Sequence, residues 1–478
     1  MNFAEIEPAG WPAVGPPLAR AQLDKALVDK ARSLRASVAE LLATAPERVD
    51  GLGGANPAAA QTSRTAVRDL VLDLLDRESV ALMARGRDPL PALDERMLVE
   101  LVLAMLFGLG LLQVFIDDDS VENIDVNGAE MAFVTFANGE KLCYGPIAES
   151  DDELVAMVRS AAARFGLSER RFDAAQPELD LRLPDGSRLS AVMAVTARPV
   201  IDIRRHRLSD HSLDDLVGLE TLDEDLARML AAAVRAKRNI LISGAMNSGK
   251  TTLLRALAAE ISPEERIVTI EQALELGLDR QVDRHPDAVA MESRLANTEG
   301  VGAIGMAQLV RRSLRMNASR VIVGEVLGDE VVPMLNAMSQ GRSGSMATIH
   351  ADDSAGVFRR LAAYAIQAPE RLPLEATNLL IAGAIHLVVH LDTVERPFAK
   401  ATTGPFDRGG HDRYRLTRHV ASVREVVGAD GPLIVTNEVW KPGPDGCAVP
   451  AAPLRDATAA LLRVHGYDPS VREPIGVW

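Results

Sequence analysis

Gly244-Ala245-Met246-Asn247-Ser248-Gly249-Lys250-Thr251 follows the apolar run Asn239-Ile-Leu-Ile-Ser243 and opens a helical pattern at Thr252-Leu-Leu-Arg-Ala-Leu-Ala-Ala. A Gly-x-x-x-x-Gly-Lys-Thr stretch on a strand-to-helix turn lets consecutive backbone N–H groups wrap phosphate oxygens at a helix N-terminus. In such a loop Lys250 reaches the β- and γ-phosphates, and Thr251 places its hydroxyl on Mg²⁺. The stretch therefore reads as a nucleoside triphosphate site, with residues 244–252 as its cradle.

Working outward, the period after residue 220 alternates strand and helix. Strands are expected at Asn239–Ser243, Arg266–Ile270, Arg320–Gly324 and Ser345–Ile349. Helices are expected at Leu222–Arg235, Thr251–Glu260, Ala307–Met316, Glu330–Ser339 and Ala355–Ile366. That alternation gives an α/β domain with a mainly parallel sheet, whose phosphate sites belong at the carboxyl ends of the strands.

Three further elements fall at such ends. Arg320-Val-Ile-Val-Gly-Glu325 ends in a carboxylate suited to Mg²⁺ binding through water or to orienting an attacking water. Val268-Thr-Ile-Glu271 ends in a second acid, and two carboxylates beside one triphosphate suit metal binding and water activation. Gly344-Ser-Met-Ala-Thr-Ile-His350 presents an imidazole where a γ-phosphate would lie. The remaining histidines read as structural.

Ahead of this domain the signals are mixed. Helical patterns cover Val67–Leu75 and Leu93–Phe107, and hairpin turns are marked by Asn127-Gly128, Asn138-Gly139 and Asp185-Gly186. Ser150-Asp-Asp-Glu153 opens a helix over Leu154–Arg164 as a capping box. These make an α+β domain with an antiparallel sheet. The expected organisation is a partly disordered, partly helical extension and linker over 1–62, the α+β domain over 63–208, a connection over 209–220, the α/β domain over 221–395, and a C-terminal extension over 396–478. Within that extension Gly428-Ala-Asp-Gly431 marks a hairpin and residues 453–465 a short helix.

Composition sets limits. The 478 residues suffice for two or three domains. Cys143 and Cys447 lie too far apart in sequence for a ligand motif, which excludes a four-cysteine zinc module and fits a reducing compartment. The N-terminus carries no secretory signal pattern. The apolar stretch from Met97 to Ile116 contains Glu100 and is interrupted by Gly108 and Gly110, so it reads as a buried helix and turn rather than a membrane span. A net charge of −15 argues against sequence-independent nucleic-acid binding, despite the local run Arg204-Arg-His-Arg207.

The four elements, in this order, resemble the Walker A loop, "Asp box", Walker B and "His box" of the secretion ATPases of type II and type IV systems. Further matching stretches include Gly108-Leu-Gly-Leu-Leu112, Val126-Asn-Gly128, Leu183-Pro-Asp-Gly-Ser-Arg188, Ile203-Arg-Arg205, Asn297-Thr-Glu-Gly300 and Thr348-Ile-His-Ala351. The wider pattern is most similar to the CpaF-type motors of tight-adherence pili. The resemblance implies a RecA-like P-loop NTPase domain behind a nucleotide-capping N-terminal domain. It implies ATP and Mg²⁺ as cofactors, Thr251, Glu271 and Glu325 at the metal, and Glu325, Glu271, His350, Arg204 and Arg188 as catalytic residues, with Arg205 beside the nucleotide. It also implies a homo-hexamer in the cytoplasm, docked on a polytopic inner-membrane platform protein, with no nucleic-acid partner. The chain departs from the family pattern at Asn247, Gln272, Leu327 and Arg342. A conjugation-type motor, a DNA translocase on the same core and a scaffold with weak hydrolysis are the alternatives.

Overall fold

The computed structural model describes residues 25–44, 57–137, 140–165, 171–205, 211–294, 296, 300–341, 343–398 and 413–471. The Asn138-Gly139 turn, Arg342, residues 297–299 and the extreme N-terminal stretch lie outside them. The chain divides into two compact units, Met1–Arg207 and Leu208–Trp478.

The first unit opens with three helices, α1 (Lys25–Thr44), α2 (Pro57–Ala84) and α3 (Ala92–Phe107). Val28, Ala31, Leu34 and Val38 of α1 and Val67, Val71 and Leu75 of α2 close on Leu98, Leu101 and Val102 of α3. The steps of three and four in these positions are what place them on one stripe of each helix. Helix α2 begins inside the stretch expected as linker and runs well past Leu75 in both directions. The short helix α4 (Leu112–Ile116) is buried throughout, and α3 is buried from Met97 to Val99 and from Leu101 to Ala104. Among the described residues no helix is long and apolar enough to cross a membrane.

A six-stranded antiparallel sheet follows, made of β1 (Val121–Asn127), β2 (Ala132–Phe136), β3 (Lys141–Tyr144), β4 (Glu178–Arg182), β5 (Arg188–Val192) and β6 (Val200–Arg204). Its order is β3-β2-β1-β6-β5-β4. Helix α5 (Asp151–Phe165) lies between β3 and β4 in sequence and packs Leu154, Val158 and Ala161 into the sheet's core. Ser150 Oγ accepts from Glu153 N at 3.2 Å, while the Glu153 carboxylate accepts from Glu149 N at 2.7 Å, one residue earlier than in a regular capping box.

The second unit starts with a helix where a connection was expected: α6 (Leu213–Gly218), capped by Ser212 and Asp215. Leu213 and Leu216 are buried in this unit's core, so residues 211–220 belong to the fold they introduce. Then come α7 (Glu224–Arg235), β7 (Ile240–Gly244), α8 (Lys250–Ala258), β8 (Ile267–Glu271), β9 (Ala288–Glu292), α9 (Met306–Ser313), β10 (Arg320–Val326), α10 (Val331–Ser339), β11 (Met346–His350), α11 (Gly356–Gln367) and α12 (Leu374–Ala384). The chain ends with β12 (Leu387–Phe398), β13 (Arg413–Asp430), β14 (Leu433–Pro442), β15 (Ala448–Pro450) and α13 (Asp456–Val464).

The strands form one nine-stranded sheet of order β15-β14-β13-β12-β7-β11-β10-β8-β9. From β12 to β9 every neighbour pair is parallel, and β13, β14 and β15 add antiparallel strands at one edge. Residues set apart as a C-terminal extension therefore continue the main sheet, and no fold boundary falls at residue 395. Alternation divides the core in two, as the period of a strand requires. Ile240 and Ile242 face α6, α7, α8 and α13, whereas Leu241 faces α9, α10, α11 and α12. Buried Asn239 fixes the start of β7: its side chain donates to Met338 O and Ala384 O and accepts from the backbone N–H groups of Gly344 and Ser345.

Candidate functional site

The carboxyl ends of β7, β8, β10 and β11 lie along one edge of the parallel sheet, and the sequence puts a chemically distinctive residue at each. Strand β7 pairs with β11 so that Gly244 stands opposite His350, and Gly244 is also opposite Leu391 of β12. The loop after β7 turns immediately into α8, whose N-cap is Gly249 at φ 93°, with no side chain capping the helix. The first-turn N–H groups of a helix point outward from its N-terminus, where an anion can meet them.

The loop is crowded where it leaves the strand. A Cβ on Gly244 would sit 2.5 Å from both Leu391 O and Ser248 Oγ, so only glycine fits. Asn247 takes a left-handed φ of 60° at the position where the family pattern has glycine, as the short polar asparagine side chain permits. Ala245 and Met246 form the outer turn, and Met246 is 72% exposed. Ser248 is fully buried, and its Oγ has no hydrogen-bond partner among the described residues. An orphaned hydroxyl, an uncapped helix end and a glycine-lined turn fit a phosphate group.

Lys250 is buried, and its ammonium donates to Gly244 O at 3.2 Å and Ala245 O at 2.8 Å. It also lies 3.1 Å from His350 Nδ1. The other ring nitrogen, His350 Nε2, is 2.6 Å from Glu325 Oε1. That contact has ion-pair distance without hydrogen-bond alignment, since Oε1 forms no geometric hydrogen bond. Lys250, His350 and Glu325 thus make a continuous chain across β7, β11 and β10.

Glu271 is held differently. It is 2% exposed; Oε2 accepts from the N–H groups of Glu275 at 2.7 Å and Leu276 at 2.8 Å, and Oε1 from Thr269 Oγ1 at 3.2 Å. Burial nonetheless pushes its carboxyl up to about 7, against those hydrogen bonds. Gly324 sits beside it, and a Cβ there would come within 2.9 Å of Glu271 Cγ. Glycine ahead of Glu325 is what gives Glu271 its place. Thr348 Oγ1 closes the other side by donating to Gly324 O at 2.5 Å. For Mg²⁺ the donor set suits oxygen ligation: a hydroxyl on Thr251 and carboxylates on Glu271 and Glu325. Among the described residues no cluster of three acidic, cysteine or histidine side chains forms a metal cage, as is usual where phosphates and water complete the shell of this ion.

In the first unit, Arg188 of β5 pairs with Arg204 of β6, and Arg182 of β4 pairs with Arg188. Directly opposite residues share a face, so three arginines form one row on the side away from Leu189 and Ile203. Arg182 was not legible as a member, because only the register of the Asp185-Gly186 hairpin brings it there. Arg205 turns elsewhere: its guanidinium donates to Asp118 O and lies 3.3 Å from Asp119 Oδ1.

Comparisons with known proteins identify the chain's relatives. The model of the Type II/IV secretion system protein family matches residues 108–425. A Mycobacterium tuberculosis protein named for conjugal transfer is 34% identical over 295 residues, covering 60% of this chain and 80% of that protein. The type IV secretion system protein PtlH of Bordetella pertussis is 32% identical over 268 residues, covering 50% of this chain and 76% of PtlH. The solved structure of the Legionella pneumophila ATPase DotB aligns at 19% identity with a TM-score of 0.46, covering 66% of this chain and 80% of DotB. The chain belongs to the Type II/IV secretion system protein family.

Proposed function

We propose that this protein is an ATPase that binds ATP with Mg²⁺ at the 244–252 loop and uses hydrolysis to drive a secretion or pilus-assembly machine. The observation that carries the reading is the Lys250–His350–Glu325 chain at the mouth of the loop. In this reading the N–H groups opening α8 hold phosphate oxygens, and Lys250 exchanges its two loop carbonyls for the β- and γ-phosphates. Glu325 accepts a proton from, or orients, the attacking water. His350 links that carboxylate to the lysine and reports the state of the γ-phosphate. Mg²⁺, when bound, neutralises phosphate charge. Arg188 and Arg204 supply positive charge to the phosphates from the first unit, an assignment that rests on the family resemblance.

The working form in this reading is a homo-hexamer at the cytoplasmic face of the cell membrane, coupled to a polytopic platform protein. Closed rings are the usual outcome of head-to-tail interfaces. The motif pattern favours a tight-adherence pilus motor. The names of the relatives, conjugal transfer and type IV secretion, favour the conjugation-type sibling. The acidic balance counts against a DNA translocase. Mass photometry with ATP and Mg²⁺, alongside ATPase assays over a range of protein concentrations, tests the reading. A hexamer whose turnover per subunit rises with concentration is expected, and Lys250→Ala should abolish nucleotide binding. A monomer with full, concentration-independent turnover overturns the motor.

A further inference from the structure

Arg418 lies on β13, in the C-terminal strands, far in sequence from the nucleotide loop. Its Nε donates to Asn247 O at 2.7 Å. Its Cδ lies 3.4 Å from where a Cβ on Gly249 would stand. Asn247 and Gly249 both hold left-handed backbone in the loop that shapes the cradle, at φ 60° and 93°. One side chain thus bonds the first and stands over the second.

The strand geometry explains how it gets there. Leu391 of β12 pairs with Gly244 on one side and with Val420 on the other, while His390 pairs with Ser422. Ala421 is the extra residue of a bulge at this step, and bulges re-aim the side chains that follow them. Past the bulge Arg418 is exposed, opposite Thr393, and no carboxylate pairs with it among the described residues. Among the described residues its side-chain hydrogen bond is to the loop carbonyl.

We infer that Arg418 is a positioning residue for nucleotide binding, clamping the 244–249 loop in its phosphate-ready form from the C-terminal strands. The inference rests on the 244–252 loop being the nucleotide site. A left-handed asparagine costs more than a glycine, and a charge-assisted hydrogen bond to its carbonyl opposes relaxation to the ordinary backbone region. The effect belongs in affinity rather than in the chemical step, because Arg418 reaches the outside of the loop through Asn247 O and not the reacting groups.

The test uses the full chain and two independent readouts. Hydrogen exchange of the 244–249 amides without nucleotide reports the clamp directly, and titration of a fluorescent ATP analogue with Mg²⁺ reports its consequence. Arg418→Ala should speed exchange in the loop and weaken nucleotide binding about tenfold, the size expected for one charge-assisted hydrogen bond. kcat should stay within about twofold, and the melting temperature should not move. Arg418→Lys, which keeps a donor, should recover part of the affinity. Unchanged exchange and unchanged affinity in Arg418→Ala overturn the inference, as does a loss confined to kcat. If the wild-type chain binds no nucleotide while Arg418→Ala still loosens the loop, the clamp stands and the assignment of the nucleotide site fails instead.

Discussion

Glu325 and His350 approach to 2.6 Å from neighbouring parallel strands, at the step where β10 loses regular register with β11. The irregularity between Val323 and Val326 lets Gly324 and Glu325 leave the ladder, so the carboxylate reaches the imidazole instead of a sheet face. His350 then joins an acid on one side to Lys250 on the other. Replacing Glu325 with Gln keeps shape and removes charge. ATP binding should persist while turnover falls at least about a hundredfold, a loss typical of removing a general base. Parallel measurement of Kd and kcat checks this, and equal losses in both would make Glu325 a structural residue.

The strand–loop–helix unit was legible because three independent signals coincide there: an apolar run, a glycine pattern and a helical period. Acids and a histidine at strand ends were legible for the same reason, since a buried parallel strand announces its end by the first polar residue. Less could be read where neighbours in space are remote in sequence. Helix α12 and strand β12 merge into one apolar stretch, and nothing local separates 374–384 from 387–391. The C-terminal hairpin was visible, but not its addition to the main sheet edge. Arg418 depends on a bulge at Ala421 and on pairing across the segment 399–412, and neither leaves a local pattern.

Glu271 gives the site a pH signature. Its carboxyl is pushed up to about 7 in the fold, above the usual carboxylate value near 4.5. Between these two values the folded chain holds a proton that the unfolded chain has released. The stabilisation is complete below about pH 4.5 and is lost as pH rises through about 7. A shift of this size corresponds to about 3 kcal/mol. Glu271→Gln removes the titration, so the wild-type melting temperature should decline relative to the variant between pH 5 and 8 (roughly the window the linkage sets). A difference independent of pH would place the ionisation elsewhere.

Arg320 begins the strand that ends in Glu325, and it is 1% exposed. It holds both oxygens of Glu265 at 2.7 and 3.0 Å and donates to Val234 O and Gly344 O. Burial would raise the Glu265 carboxyl, but Arg320 and then Lys237 outweigh it and keep it below its ordinary value. Removing Arg320 leaves the half-buried Glu265 carboxylate with Lys237 at 3.1 Å, so the loss falls below the about 3–5 kcal/mol of a buried charge left with no partner. Arg320→Ala should therefore unfold at markedly lower denaturant. Arg320→Met with Glu265→Leu should recover most of the loss, because two apolar side chains leave no orphaned charge. Chemical denaturation of the two variants distinguishes them, and equal midpoints would show that the charge left on Glu265 is not the source of the loss.

The last expectation concerns the arginine row of the first unit. Because α6 buries Leu213 and Leu216 in the second unit, a fragment must begin near residue 211 to keep that core whole. A start at Thr221 would remove both leucines and confuse loss of fold with loss of chemistry. The 211–478 fragment retains the loop, Glu271, Glu325, His350 and Arg418, and lacks Arg188 and Arg204. If those arginines stabilise charge on the transferred phosphoryl group, the folded fragment should bind ATP weakly and hydrolyse it at least about a hundredfold more slowly, within the range known for arginine contributions. In the full chain, Arg188→Ala and Arg204→Ala should each lower kcat, whereas Arg182→Ala, at the far end of the row, should mainly lower affinity. Circular dichroism establishes that the fragment is folded before its turnover is measured. Wild-type turnover in a folded fragment would remove the first unit from the chemistry and leave it to the residues of the second.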